Sequence, residues 1–336
     1  MYKSLLFFLL PAMSLIIACG DGEQKEPEAK ETQKTETNVQ QSFKEASEFN
    51  SDSAYYYIEK QVLFGSRVPN SKEHAQCAEW LKNKLASFDG WEVQIQEFKA
   101  KAFDDKILNG KNIIASFNKD APKRILLFAH WDTRPFADQD TKDKNKPIPG
   151  ANDGGSGVGV LLEIARQISL NPIAVGVDIV LFDAEDYGQP DGTMMPRKPD
   201  TYCLGSQHWA KNPHVPGYRA NYGILLDMVG AKDATFTMEA TSMYYASNVV
   251  EKVWAVAHKL GYGNYFLYKR TDGITDDHYY VNAIAGIPSI DIIQHDPETR
   301  SNFGKYWHTH DDNMNIIDRN TLKAVGQTLL QVLYNE

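Results

Sequence analysis

Three short segments of this chain carry residue types that hold a divalent metal and move protons. They are Gly150-Ala151-Asn152-Asp153-Gly154-Gly155-Ser156, Phe182-Asp183-Ala184-Glu185-Asp186 and Trp307-His308-Thr309-His310-Asp311-Asp312. Carboxylate oxygens and an imidazole nitrogen suit zinc, which takes such donors in roughly tetrahedral geometry and keeps one position open at catalytic sites. The glycines around Asp153 let the backbone turn tightly at a helix start, with Ser156 better placed than Asp153 to cap that helix. Glu185 and Asp186 are adjacent at a strand tip, so their side chains diverge: one can bind metal while its neighbour faces the substrate. His308 is the candidate imidazole, and His310 competes with it. His130 and Asp227 can complete a second metal position with Asp153 as the bridge. Alternatively, Asp227 joins Asp277 in a proton-sharing group beside Glu185, since clustered carboxylates raise one another's pKa.

Such residues need a frame that brings them together. Four nearly continuous apolar runs precede polar residues: 124–129 before His130-Trp131-Asp132, 177–182 before Asp183, 222–226 before Asp227, and 286–293 before Gln294. Runs that are apolar on both faces belong to buried strands of a largely parallel sheet. Between and after them lie helix patterns over 158–168, 246–260 and 321–334, and another surrounds Ala75, Ala78, Leu81, Leu85 and Phe88. Trp91–Phe98 alternates like a half-exposed strand, with 111–117 as its hairpin partner. The expected fold is α/β: a three-layer α/β/α single domain with a central mixed, largely parallel twisted sheet. In such sheets ligands gather outside the carboxyl ends of the strands, where these polar clusters fall.

The ends and composition narrow the setting. Residues 1–19 read as a lipoprotein signal peptide: Lys3, an apolar stretch from Leu5 to Ile17, and Ile16-Ile17-Ala18-Cys19 resembling a bacterial lipobox with Cys19 as the lipidated residue. That makes the expected location the bacterial cell envelope, lipid-anchored, on the periplasmic side. Residues 20–47 are rich in Glu, Lys, Gln and Thr and read as a flexible tether. Residues 48–336 form the expected zinc-dependent catalytic domain. A net charge of −9 argues against a nucleic-acid partner. Cys77 and Cys203 can pair only if the fold sets them side by side, and the lack of a CxxC spacing excludes a cysteine-based zinc site.

With its motifs His130-Trp131-Asp132, Gly150-Ala151-Asn152-Asp153, Phe182-Asp183-Ala184-Glu185-Asp186, Leu226-Asp227-Met228-Val229-Gly230, Thr275-Asp276-Asp277-His278 and Trp307-His308-Thr309, the chain resembles the zinc aminopeptidase-like superfamily. Within it, the chain resembles the bacterial glutaminyl cyclases from about Glu48 to Tyr334. The resemblance implies one Zn2+ on Asp153, Asp186 and His308, Glu185 as general acid/base, and Asp227 and Asp277 as proton-network acids. It implies Trp307 and Trp131 as substrate-binding aromatics. The implied reaction closes an N-terminal glutamine of peptides or proteins to pyroglutamate with loss of ammonia. Animal cyclases have Glu-Glu where this chain has Glu185-Asp186, and their other pocket tryptophan lacks a clear counterpart in 187–202. A two-zinc aminopeptidase with His130, Asp153, Asp186, Asp227 and His308 as ligands uses the same residues, and a non-catalytic peptidase-like binding lipoprotein is the third class.

Overall fold

The central strands are apolar at nearly every position, so successive side chains bury on opposite faces of one sheet. Ile125, Leu127 and Ala129 pack on one side, and Leu126 and Phe128 on the other. Ile179 and Leu181 part from Val180 and Phe182 in the same way. The structure is a computed structural model that describes residues 45–190 and 193–336. In chain order its elements are α1 (Ser51–Leu63), α2 (Lys72–Ala86), β1 (Trp91–Lys101), β2 (Ile107–Phe117), β3 (Arg124–His130), α3 (Gly155–Leu170), β4 (Gly176–Phe182) and α4 (Leu204–Lys211). There follow β5 (Tyr222–Asp227), β6 (Phe236–Glu239), α5 (Ala240–Lys259), β7 (Phe266–Thr271), α6 (Asp277–Tyr280), β8 (Ser289–Ile293) and α7 (Arg319–Tyr334).

Six strands form one mixed sheet in the order β1-β2-β4-β3-β5-β8. Its parallel part is β4-β3-β5-β8, and the β1–β2 hairpin is joined antiparallel to the edge of β4. One face is covered by α1, α2, α3, α5 and α7, and the other by α4 and the segment after α6, through Trp209, Val281 and Ile287. This is a three-layer α/β/α fold with a mostly parallel centre. A separate parallel pair, β6–β7, lies outside the main sheet. Because β4 and β5 flank β3 on opposite sides, the carboxyl ends of the three strands open a crevice between them.

Local chemistry explains where the helices start. Asn50, Ser71 and Asp318 each accept a backbone N–H from the first turn of α1, α2 and α7. At α3 the cap is Gly154, with φ +83° and no side-chain cap bond. Ser156 is not the cap expected: its hydroxyl donates to Asn152 O at 2.6 Å and accepts from Val229 N–H at 2.9 Å. A Cβ on Gly157 would sit 2.2 Å from Leu226 O, so only glycine lets α3 lie this close to β5.

The expected tether ends earlier than residue 47. Ala46 and Phe49 are buried, and their N–H groups donate to Gln331 and Gln327 of α7. The proposed signal segment, Cys19 and most of the tether lie outside the described residues. Cys77 and Cys203 are both buried, free thiols, so the open question of their pairing is answered in the negative.

Candidate metal centre and the acid wall behind it

Two buried carboxylates hold the loops that carry the candidate ligands. Asp312 accepts the N–H groups of Asn152 and Asp153 at 2.7 and 3.1 Å, fixing the turn that presents Asp153. Asp132 accepts those of Glu185 and Asp186 at 3.0 and 3.2 Å. Just before that pair, Ala184 takes a left-handed backbone (φ 55°), which aims the two neighbouring acids in different directions. His308 has the same backbone handedness (φ 55°), as do Cys203 and Met228 near the cavity. Non-glycine residues in this region are uncommon and gather at functional sites.

Asp153, Asp186 and His308 converge: one donor atom from each lies within 4.8 Å of the others. His308 Nε2 is 3.3 Å from Asp186 Oδ1 and 3.7 Å from Asp153 Oδ2. On the far side of the ring, Nδ1 lies 3.3 Å from Asp138 Oδ1, which leaves Nε2 to face the two acids. Asp138 in turn is bound by Arg134 Nε at 2.5 Å, and Arg134 Nη1 reaches Asp186 Oδ1 at 3.2 Å. Burial opposes ionisation of Asp138, yet His308 and Arg134 hold its carboxyl well below the usual range. Asp186 Oδ2 is buried with no hydrogen-bond partner among the described residues. A buried carboxylate with one oxygen orphaned, set beside an imidazole and a second carboxylate, is what a bound cation would satisfy, and two oxygens with one nitrogen fit zinc. Asp153, Asp186 and His308 therefore fit the metal.

A second group shares Asp153. His130 Nε2 lies 3.1 Å from Asp153 Oδ1 and 3.2 Å from Asp227 Oδ1, and the three could also hold a cation. Here, however, the contacts are already at hydrogen-bond length. Burial alone would lower the His130 pKa, but Asp132, Asp153 and Asp227 raise it well above the ordinary value. A proton on this imidazole thus bridges the same two carboxylates.

Glu185 stands outside the Asp153–Asp186–His308 group, its Oε2 3.9 Å from His130 Nδ1, and its side chain is only 13% exposed. Its Oε1 accepts the Cys203 thiol at 3.2 Å, and Glu185, Cys203 and Asp276 lie within 4.8 Å of one another. Burial first, with Asp276, Asp186 and Asp277 adding and His130 opposing, raises the Glu185 pKa well above its usual value. Burial and then Asp227 push Asp276 up to about 7. Behind this wall stand Asp277, Asp291, Glu239 and His278, all buried. Asp277 and Asp291 are raised well above the carboxylate range, by burial first and by Asp276 next.

The cavity between these groups has a volume of about 230 Å3 and is lined by Asp153, Glu185, Asp186, Asp227, Asp276 and His308, with Tyr202, Phe303 and Trp307 among its walls. Trp307 stacks on His308, ring centres 3.6 Å apart. Two expected site residues are elsewhere. Trp131 is fully buried, stacks on His74 at 4.4 Å and donates to Lys111 O, so it belongs to the core and not to a substrate wall. Asp277 lies behind the cavity, and its neighbour Asp276 is the one that lines it. His310 is held at 2.8 Å by Asp140, away from the cluster. Sequence reasoning did not find Arg134, Asp138, Asp312, Cys203 or Tyr202. Tyr202 supplies a wall in the stretch where no tryptophan counterpart was found.

The fold and this cluster define a metal-dependent, exopeptidase-like α/β enzyme. The chain belongs to peptidase family M28, whose pattern matches residues 112–333. It is similar to the crystal structure of Tannerella forsythia glutaminyl cyclase, with 55% identity, a TM-score of 0.84, and coverage of 86% of this chain and 100% of that one. It is also similar to a Zn-dependent exopeptidase from Parabacteroides distasonis, with 53% identity, a TM-score of 0.85, and coverage of 87% and 100%. Aminopeptidase YwaD of Bacillus subtilis is 29% identical over 242 residues, which cover 70% of this chain and 46% of that protein. The chain thus spans less than half the length of that relative.

Proposed function

We propose that the protein is a zinc-dependent glutaminyl-peptide cyclotransferase that converts the N-terminal glutamine of peptides or proteins to pyroglutamate and releases ammonia. The observation that carries this reading is Glu185, a carboxylate outside the Asp153–Asp186–His308 group and within 4.8 Å of Asp276, in the 230 Å3 cavity that both line. That volume is below the roughly 300–1,000 Å3 of typical small-molecule sites, which suits one terminal residue folded on itself. Similarity to the Tannerella forsythia cyclase supports the same reading.

One Zn2+ per chain is held by Asp153, Asp186 and His308. When bound, it supplies Lewis acidity toward a carbonyl oxygen. The chain's residues do the rest. Tyr202, Phe303 and Trp307 enclose the glutamine side chain and exclude water. Glu185 accepts a proton from the substrate's α-amine as that nitrogen bonds to the side-chain carbonyl carbon. The same proton then passes to the departing amide nitrogen as its bond to carbon breaks, so ammonia leaves and Glu185 is regenerated. Burial, with Asp276, Asp186 and Asp277 adding, raises the proton affinity of the Glu185 carboxylate, so it can take the proton and hand it on. Because the attack is intramolecular, orientation supplies much of the rate.

The His130–Asp153–Asp227 group favours a second reading, a two-zinc aminopeptidase in which His130 and Asp227 hold a further ion. Zinc counted per chain, together with ammonia release from a glutaminyl peptide, separates the two. One zinc with ammonia release is expected. Two zincs with release of free N-terminal residues would overturn the cyclase reading.

The apolar stretch from Leu5 to Ile17 followed by Cys19 supports a lipid anchor and a periplasm-facing place in the cell envelope. Among the described residues, no helix is long and apolar enough to cross a membrane.

A further inference from the structure

The catalytic cavity has a larger neighbour. A second cavity of about 500 Å3 is lined by Lys269, Arg270, Asp272, His295, Asn302 and Phe303, among others. It shares two walls with the catalytic cavity, Ile274 and Phe303. The inner cavity, at about 230 Å3, accommodates one residue, so the rest of a bound peptide must leave it. The common wall makes the outer cavity the continuation of that path.

Its chemistry selects a charge. Lys269 and Arg270 are exposed on β7, and neither forms an ion pair among the described residues. Asp272 offsets one of these two cations among the lining groups. His295 adds none, because burial and then Lys269 lower its pKa. One positive charge is therefore left in excess beside donors from Ser301 and Asn302. We infer that this cavity is a subsite for the residues following the N-terminal glutamine, and that it takes acidic side chains there. The inference rests on the cyclase reading for the identity of the first residue.

The test compares peptides beginning Gln-Glu-Glu, Gln-Ala-Ala and Gln-Lys-Lys on the zinc-loaded enzyme. Ammonia release gives kcat/KM, and equilibrium calorimetry gives affinity. Attraction of Glu and repulsion of Lys by that one excess charge predict a Glu-over-Lys preference of about five- to tenfold at low salt. The preference falls toward unity near 1 M salt, where screening acts over ~3 Å. Lys269→Gln with Arg270→Gln abolishes the preference, and Lys269→Glu with Arg270→Glu reverses it. A preference unmoved by either double variant, or equal handling of the three peptides by the native chain, overturns the subsite. Absence of ammonia from every peptide overturns the cyclase reading instead. Calorimetry then still decides the subsite: charge-dependent affinity lost in the double variants supports it, and equal affinities remove it.

Discussion

The two sides of the catalytic cavity are built from the same residue type with different company. On one side, Asp186 and Asp138 stand against Arg134 and His308, with contacts of 2.5 to 3.3 Å. On the other, Glu185, Asp276, Asp277 and Asp291 are buried with few cations near them, and burial raises the pKa of each. Burial disfavours the charged form in both places, so counter-charge decides the outcome. On the first side His308 and Arg134 hold the Asp138 carboxyl well below the usual range, beside the residues that could grip a cation. The second retains protons near neutrality, as a group that must take and return them requires. The difference teaches that neighbours, more than residue type, separate metal ligand from proton carrier in this crevice.

The comparison breaks most sharply at the adjacent pair Glu185 and Asp186. Glu185→Gln is expected to keep bound zinc and to lose turnover by roughly 10²–10⁴-fold, the usual range for a general acid/base. Metal analysis beside ammonia release reads both. If zinc left together with activity, Glu185 would belong to the ligand side and the division would fail.

A smaller effect is expected one step away from the metal. Asp138→Asn removes the charge that holds His308 Nδ1 and pairs with Arg134. Loss of such an outer partner weakens metal affinity by about 10- to 100-fold. Competition with a chelator measures it without reference to turnover. Unchanged affinity would show that Arg134 and packing alone orient the ligands.

Much of this arrangement was legible in the sequence, and the rest has physical reasons for being hidden. The parallel strands could be read because burial on both faces leaves continuous apolar runs. The β7 strand could not, since Tyr268, Lys269 and Arg270 are exposed and carry no apolar period. Trp131 misled by its place between His130 and Asp132. The alternation of an extended chain sends it to the opposite side, where it stacks on His74. Choosing between Asp276 and Asp277 required knowing where α6 begins. Asp276 is its extended N-cap, and Asp277 is the first helical residue, turned inward. Arg134, Asp138 and Asp312 act on partners between 52 and 170 residues away or through backbone N–H groups, and no local pattern announces such a role. The ligand-bearing motifs were visible because each packs several functional residues into one short turn.

Glu239 offers the last and smallest way to sharpen the contrast, because it lies on the proton-holding side yet has the company of the other. It caps α5, accepting N–H groups from Thr241 at 2.7 Å, from Ser242, and from Ile274 at 3.1 Å, and it lies 3.2 Å from His278 Nε2. Burial alone would raise its pKa, but His278 and Ser242 outweigh it and lower the carboxyl from 4.5 to about 2. A carboxyl depressed in the folded state stabilises fully above its unfolded value, and that share is lost as pH falls from 4.5 toward about 2. Glu239→Gln preserves shape and removes the charge, so it is expected to cost roughly 1.5–3 kcal/mol at neutral pH, the range for hydrogen bonds to a charged group. Urea unfolding from pH 7 down to pH 3 should show the gap between native and variant chains narrowing at the acid end. A gap that stayed constant would mean that Glu239 is already protonated in the fold. In that case burial would outweigh counter-charge even where cation and N–H donors are present, and the rule that divides the two sides would not hold.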